Sequence, residues 1–182
     1  MTEQRVSLRY ARALFETAKS AGFIDEVYKD FATISEYFAA SKELITVLKS
    51  PVVQSWKKKQ LLKELFSSAL NEITFNFIIL LTEKSRENFL PDIIAVYEKL
   101  YFQEKNIIRA DISTAYNIDE NLRNKIISEL ENKLKKTVIP NFKVDSLLKG
   151  GLMIRVDDWV YDASVRNHLN QLRNQLIEGK LI

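Results

Sequence analysis

The chain contains no cysteine, which excludes disulfides, thiolate nucleophiles and thiolate metal sites. Histidine occurs once, at position 168. Only 4 glycines and 3 prolines among 182 residues leave little material for long loops and favour helices joined by short connections. No charge of one sign dominates: 27 basic and 24 acidic side chains give +3, too balanced to imply a nucleic-acid or anionic-membrane partner. The 15 basic and 14 acidic residues up to Lys105, and the 12 and 10 beyond it, keep both parts balanced. The longest fully apolar run, Phe77 to Leu81, is far short of a membrane span. The opening Met-Thr-Glu-Gln-Arg has no apolar core of a secretory signal, so a cytoplasmic protein is expected. What remains is ordinary globular composition, 46% apolar and 28% charged, in a chain long enough for one domain or two small ones.

Hydrophobic periodicity predicts six helices in residues 1–105. From Val6 to Ala21 two adjoining apolar stripes cover so much of the circumference that the helix needs neighbours on both sides or a partner, and Gly22 stops it. The second helix keeps a seam of Ile24, Val27, Tyr28, Phe31, Ile34 and Phe38. A short third, from Lys42 to Lys49, is blocked by Pro51. Ser55 is the expected N-cap of the fourth, which carries Trp56, Leu61, Leu62, Leu65 and Phe66, with Lys57, Lys58, Lys59 and Lys63 on its other face. The fifth, about Asn71 to Arg86, holds the run Phe77 to Leu81 and is expected at the centre of the bundle. The sixth runs from about Leu90 to Lys105, with Pro91 in its first turn.

Near Asn106 the period changes from helical to alternating. Ile108, Ala110 and Ile112 mark a half-buried strand. A helix capped by Asn117 or Asp119 follows, with Leu122, Ile126, Leu130 and Leu134 inward. Val138 to Val144 reads as a second strand, with Pro140 placing its beginning at an edge or in an irregular stretch. Leu152, Ile154 and Val156 alternate in a further strand that Asp157-Asp158 turns into Trp159, Val160 and Tyr161. Ser164 caps a last helix bearing Val165, Leu169, Leu172 and Leu176. The expected class is multidomain α plus α/β, a six-helix bundle at 1–105 followed by a small β-α-β-β-α module at 106–182.

No catalytic constellation assembles, and neither a cofactor nor a metal site is expected. His168 stands off the apolar seam of its helix, in a surface or capping role. As a general base it has no Ser or Cys arrangement around it. Asp157, Asp158 and Asp162 are the densest carboxylates and could hold Mg²⁺ or Ca²⁺, but they lack the calcium-loop spacing and fit a turn. Gly150-Gly151 belongs to no phosphate-loop pattern and supplies φ > 0 or close backbone approach before a strand. Trp56 with Lys57, Lys58, Lys59 and Lys63 reads as a solvated helix face, or as an RNA-binding patch with no second basic patch to extend it.

Several motifs carry a resemblance. Arg9-Tyr-Ala-Arg-Ala-Leu-Phe15, Ser50-Pro-Val-Val53 and Leu81-Thr-Glu-Lys-Ser-Arg-Glu-Asn-Phe-Leu-Pro91 stand in the first part of the chain. Phe142-Lys-Val-Asp145, Leu148-Lys-Gly-Gly-Leu152, Ile154-Arg155 and Val160-Tyr-Asp-Ala-Ser-Val-Arg166 follow, then Leu169 and Leu172. In order and spacing they resemble the delta subunit of bacterial F-type ATP synthase, the family of the mitochondrial oligomycin-sensitivity-conferring subunit. One departure is Ala163, where that family usually has glycine.

The resemblance implies a six-helix bundle that binds N-terminal segments of the F₁ alpha subunits as amphipathic helices. It also implies a C-terminal domain that meets the C-terminal end of the peripheral stalk's b subunits. Such a stator clamp binds no nucleotide, performs no bond chemistry and couples proton transport to ATP synthesis. It would be present in one copy, peripheral to the cytoplasmic face of the inner membrane. On this basis Tyr10, Leu14, Phe15, Ala18, Phe77 and Leu81 are expected near an alpha-subunit groove, or else as ordinary bundle core. Arg155, Arg166 and Arg173 are expected to face the stalk, while Gly150, Gly151, Asp162 and Ser164 fix turn and cap. The alternatives are a free-standing helical adaptor, the RNA-binding module of Trp56 to Lys59, and, more distantly, a hydrolase using His168 or Asp162.

Overall fold

The computed structural model of the chain describes residues 3–50 and 52–177. Two compact units emerge, Met1–Glu104 and Lys105–Ile182. The first holds helices α1 (Glu3–Ala21), α2 (Ile24–Ala40), α3 (Lys42–Lys49), α4 (Ser55–Phe66), α5 (Glu72–Glu83) and α6 (Leu90–Glu104), with a 3-10 turn at Glu87–Phe89. Gly22 ends α1 at φ +77, and its neighbour Phe23 returns an N–H to Ala18 O at 2.9 Å. With the Gly22 N–H on Lys19 O at 3.3 Å, it makes the pair of bonds to the last turn that defines the left-handed helix stop. The core is built from Leu14, Phe15, Phe31, Ile34, Leu62, Phe66, Ile78, Leu81, Ile93 and Tyr97, with the Tyr97 ring edge-on to both Phe15 and Phe31.

Three sequence expectations change here. The cap position of α4 belongs to Gln54, and Ser55 is the first helical residue, its Oγ 3.4 Å from Ser85 Oγ. α5 is not enclosed: Phe77, Ile78 and Leu81 face inward while Leu80 is exposed. Lys58 does not share a solvated face with its neighbours. It is buried, one turn before Leu62 and two before Phe66, and bonds Leu48 O and Glu87 Oε1 at 2.8 Å each. The expected block at Pro51 lies outside the described residues.

The second unit has strands β1 (Ile107–Thr114), β2 (Thr137–Val144), β3 (Leu152–Val156) and β4 (Trp159–Asp162), with helices α7 (Glu120–Leu134) and α8 (Val165–Ile177). It follows the β-α-β-β-α order, the last sheet element being the hairpin of β3 and β4. The sheet order is β2-β1-β3-β4, with β1 and β2 parallel and the other pairs antiparallel. Pro140, whose nitrogen can donate nothing, sits on edge strand β2 opposite Ala110. Ile108, Ala110, Ile112, Val138, Ile154 and Val156 bury one face of the sheet together with Leu130 of α7. Leu122, expected inward, is exposed near the start of α7. Asp119 rather than Asn117 caps that helix, accepting from Leu122 N at 3.0 Å, while Asn117 Oδ1 accepts from Arg123.

Candidate docking surfaces

In the helical unit α1 packs most extensively on α6, and α5 on α4, so α1 and α5 are left with little contact between them. The gap is a groove of about 590 Å³ lined by Arg9, Tyr10, Ala13, Leu14, Thr17, Ile73, Asn76, Phe77 and Leu80. Its floor is apolar, with Arg9 and Thr17 two turns apart on the α1 side and Asn76 on the α5 side. Tyr10 is held in place by an edge-on contact with Phe77 at 6.5 Å and by the Arg86 guanidinium 5.8 Å from its ring centre. Of the six residues singled out from sequence, Tyr10, Leu14 and Phe77 line this groove. Phe15, Ala18 and Leu81 are instead buried in the bundle core and do not line it. Leu80, Ala13 and Ile73 escaped sequence reasoning, although Leu80 belongs to the conspicuous apolar run.

In the second unit the start of α8 is closely tied to the strand ends. Gly151 adopts φ +72, and a side chain there would run into Ala163 O, so the position demands glycine. Hydrogen bonding from the Ser164 side chain, helped by the Ser164 N–H that Asp162 Oδ1 accepts at 2.9 Å, holds the Asp162 carboxyl below the usual carboxylate range. Ser164, fully buried, caps α8 by accepting from Asn167 N at 3.1 Å. Ala163 is not among the residues with positive φ, so the chain needs no glycine there. His168 Nδ1 lies 3.4 Å from Ser164 O on this first turn. Among the described residues no group of acidic or histidine side chains has the arrangement of a metal site.

Beyond its first turn α8 has little to pack on, and none of its residues is buried. Val165, Leu169, Leu172 and Leu176 are 43–60% exposed. Their 4-3-4 spacing puts them in one seam of the kind that pairs with another helix. Arg166 and Arg173 each follow a seam residue by one position and so flank it on the same side, while Arg155 is exposed on β3.

An open apolar groove on one unit and an unpartnered helical seam on the other define a protein-binding connector. The family model of the ATP synthase delta (OSCP) subunit matches residues 6–176. The ATP synthase subunit delta of Chloroherpeton thalassium is 35% identical over 176 residues, covering 97% of this chain and 96% of that protein. That of Trichlorobacter lovleyi is 33% identical over 180 residues, covering 98% and 100%. The fold is shared with a chain of the Toxoplasma gondii mitochondrial ATP synthase hexamer, at a TM-score of 0.71 and 24% identity, over 94% of this chain and 97% of that one. The chain belongs to the ATP synthase delta (OSCP) subunit family. It is accordingly a non-catalytic stator component that links F₁ to the peripheral stalk and resists rotor torque, peripheral to the membrane. Among the described residues no helix is long and apolar enough to cross a membrane.

Proposed function

We propose that the α1–α5 groove receives an amphipathic helix from the N-terminal segment of an F₁ alpha subunit, and that the α8 seam receives the C-terminal end of the stalk b subunit. One observation carries the reading: each unit leaves one apolar surface uncovered that its own elements do not fill. Helix-in-groove binding needs an apolar floor with polar edges, and the groove supplies Tyr10, Leu14, Phe77 and Leu80 between Arg9, Thr17 and Asn76. At the seam Arg166 and Arg173 occupy flanking positions where an approaching helix would present acidic residues.

Titration calorimetry of the full chain against the cognate alpha N-terminal peptide tests the groove. Leu80→Glu suits this test because Leu80 is 42% exposed and contributes to the groove wall without closing the core. Binding should weaken by about 2 kcal/mol or more, with helicity unchanged. Unaltered affinity would remove the groove from consideration. Leu172→Glu should in the same way abolish binding of a b C-terminal peptide and leave the alpha peptide unaffected.

A further inference from the structure

The corner between α3 and α4 carries features that neither the groove nor the seam uses. Glu87 is 4% exposed and bonds Lys58 through Oε1, while its Oε2 is buried with no hydrogen-bond partner. Both side chains line a cleft of about 320 Å³ together with Lys49, Ser50, Ser55 and Asn88. An acceptor removed from water without a donor is destabilising, so this cleft favours a ligand that brings a donor. Lys58 already neutralises Glu87 and Lys49 adds positive charge. A neutral amide or hydroxyl therefore fits better than another cation.

The chain neighbours of this cleft are apolar and exposed, Val52 at 86% and Trp56 at 59%. Trp56 is held in place: its Nε1 donates to Gln54 Oε1 at 2.6 Å, and Lys57 Nζ lies 5.5 Å from its ring centre. A large aromatic side chain already fixed in position is a good interface anchor, since little freedom is lost on binding. Charge selects the partner. Among the described residues Lys49 and Lys57 form no ion pair, whereas Lys59 is paired with Glu83 at 2.6 Å. With Lys58 buried and Lys59 paired, the run Lys57 to Lys59 keeps one uncommitted cation. That is too few to follow a phosphate backbone, and enough to meet one or two carboxylates.

We propose that this corner is a second docking site of the helical unit, for an acidic segment of the F₁ head that places an amide or hydroxyl side chain against Glu87 and apolar surface on Trp56. The choice of the head rests on the reading that the helical unit is the one that binds it.

Full-length chain carrying Trp159→Phe has Trp56 as its only tryptophan. On titration with purified F₁ head, Trp56 emission should move to the blue and acrylamide quenching should fall about twofold as the surface is covered. In the otherwise native chain Trp56→Ala should weaken binding about tenfold or more. Lys57→Glu should weaken it several-fold, with a larger effect at low salt than at high. Both residues are exposed, and circular dichroism checks that the variants fold. Calorimetric binding of the head with Trp56 as quenchable as before would overturn the corner site and leave the groove reading intact. A Trp56 response that survives in a chain with Leu80→Glu and unaltered affinity would support the corner and sink the groove. A response to anionic phospholipid vesicles or to RNA but not to the head would overturn the proposal, as would no binding of the head at all.

Discussion

Removing the Glu87 carboxylate should be among the most damaging single changes to the helical unit. Lys58 and Glu87 have side chains only 6% and 5% exposed, with Nζ and Oε1 2.8 Å apart. Glu87→Ala leaves the ammonium buried with only Leu48 O to accept from it. Stranding one charge of a buried pair costs about 3–5 kcal/mol. The unit Met1–Glu104 should possess roughly 5–15 kcal/mol in all, so the variant remains foldable but loses a large share of its margin. Lys58→Met with Glu87→Met removes both charges, leaving chiefly the unpaired Leu48 carbonyl, and should cost only about 1–2 kcal/mol. Urea unfolding followed through Trp56 in a Trp159→Phe background reads this unit alone and supplies the double-mutant cycle. The loss should be nearly independent of salt, because a buried pair is screened little. A Glu87→Ala cost under about 1 kcal/mol, or one erased by salt, would refute the argument by showing that the ammonium stays hydrated. Glu83→Ala, which breaks the exposed pair with Lys59, should leave the urea midpoint unmoved.

Gly151→Ala forces a side chain onto φ +72 and into Ala163 O, and should destabilise the second unit by about 2 kcal/mol or more. Gly150→Ala meets only the tip of Val165, at 2.8 Å, and should cost clearly less; both are read by Trp159 fluorescence with Trp56→Phe. Burial, with help from the hydrogen bond to Asp25, pushes the Tyr101 hydroxyl up to about 12. The folded state thus holds a proton that the unfolded state gives up near 10, so this contribution is complete below pH 10 and is lost as pH rises through about 12. Tyr101→Phe should flatten the alkaline limb of the stability curve, and an unchanged limb would contradict the assignment. α8, 13 residues with no buried side chain, is at the length where isolated helices are marginal. Its amides should exchange far faster than those of α6 in the free chain and slow markedly when b peptide is added; equal protection in the free chain would show that its seam is already covered.

Helix seams carried most of the fold in the sequence. Periodicity placed α2 and α3 within a residue or two, and Gly22 and Pro140 marked a helix stop and a sheet edge for reasons that hold in the structure. Lys58 was readable too: it lies four residues before Leu62 and eight before Phe66, on the buried stripe of α4. Three consecutive lysines concealed that, because composition outweighed position. The groove was only half legible. Tyr10 and Leu14 line it while Phe15 and Ala18, on the adjoining stripe, pack in the core. A helix apolar on two stripes announces that one is surplus, but only the packing of α1 on α6 decides which stripe is open.

The same ambiguity governs α8, and it has a physical consequence. Val165, Leu169, Leu172 and Leu176 form a seam that reads in sequence like any core-facing helix, yet among the described residues the module buries none of it. Burying about half of four such side chains stabilises by several kcal/mol at roughly 25 cal/mol per Å². In this chain that gain is unrealised until a partner helix arrives. Surface held in reserve in this way couples the stability of the last helix to capture of a partner. Under the stalk attachment proposed above, the contact that resists torque is also the one that covers the seam, so loosening it re-exposes that apolar surface. The buried cap of Ser164 and the glycine at 151 fix the root of α8, so only its distal turns depend on a partner for packing.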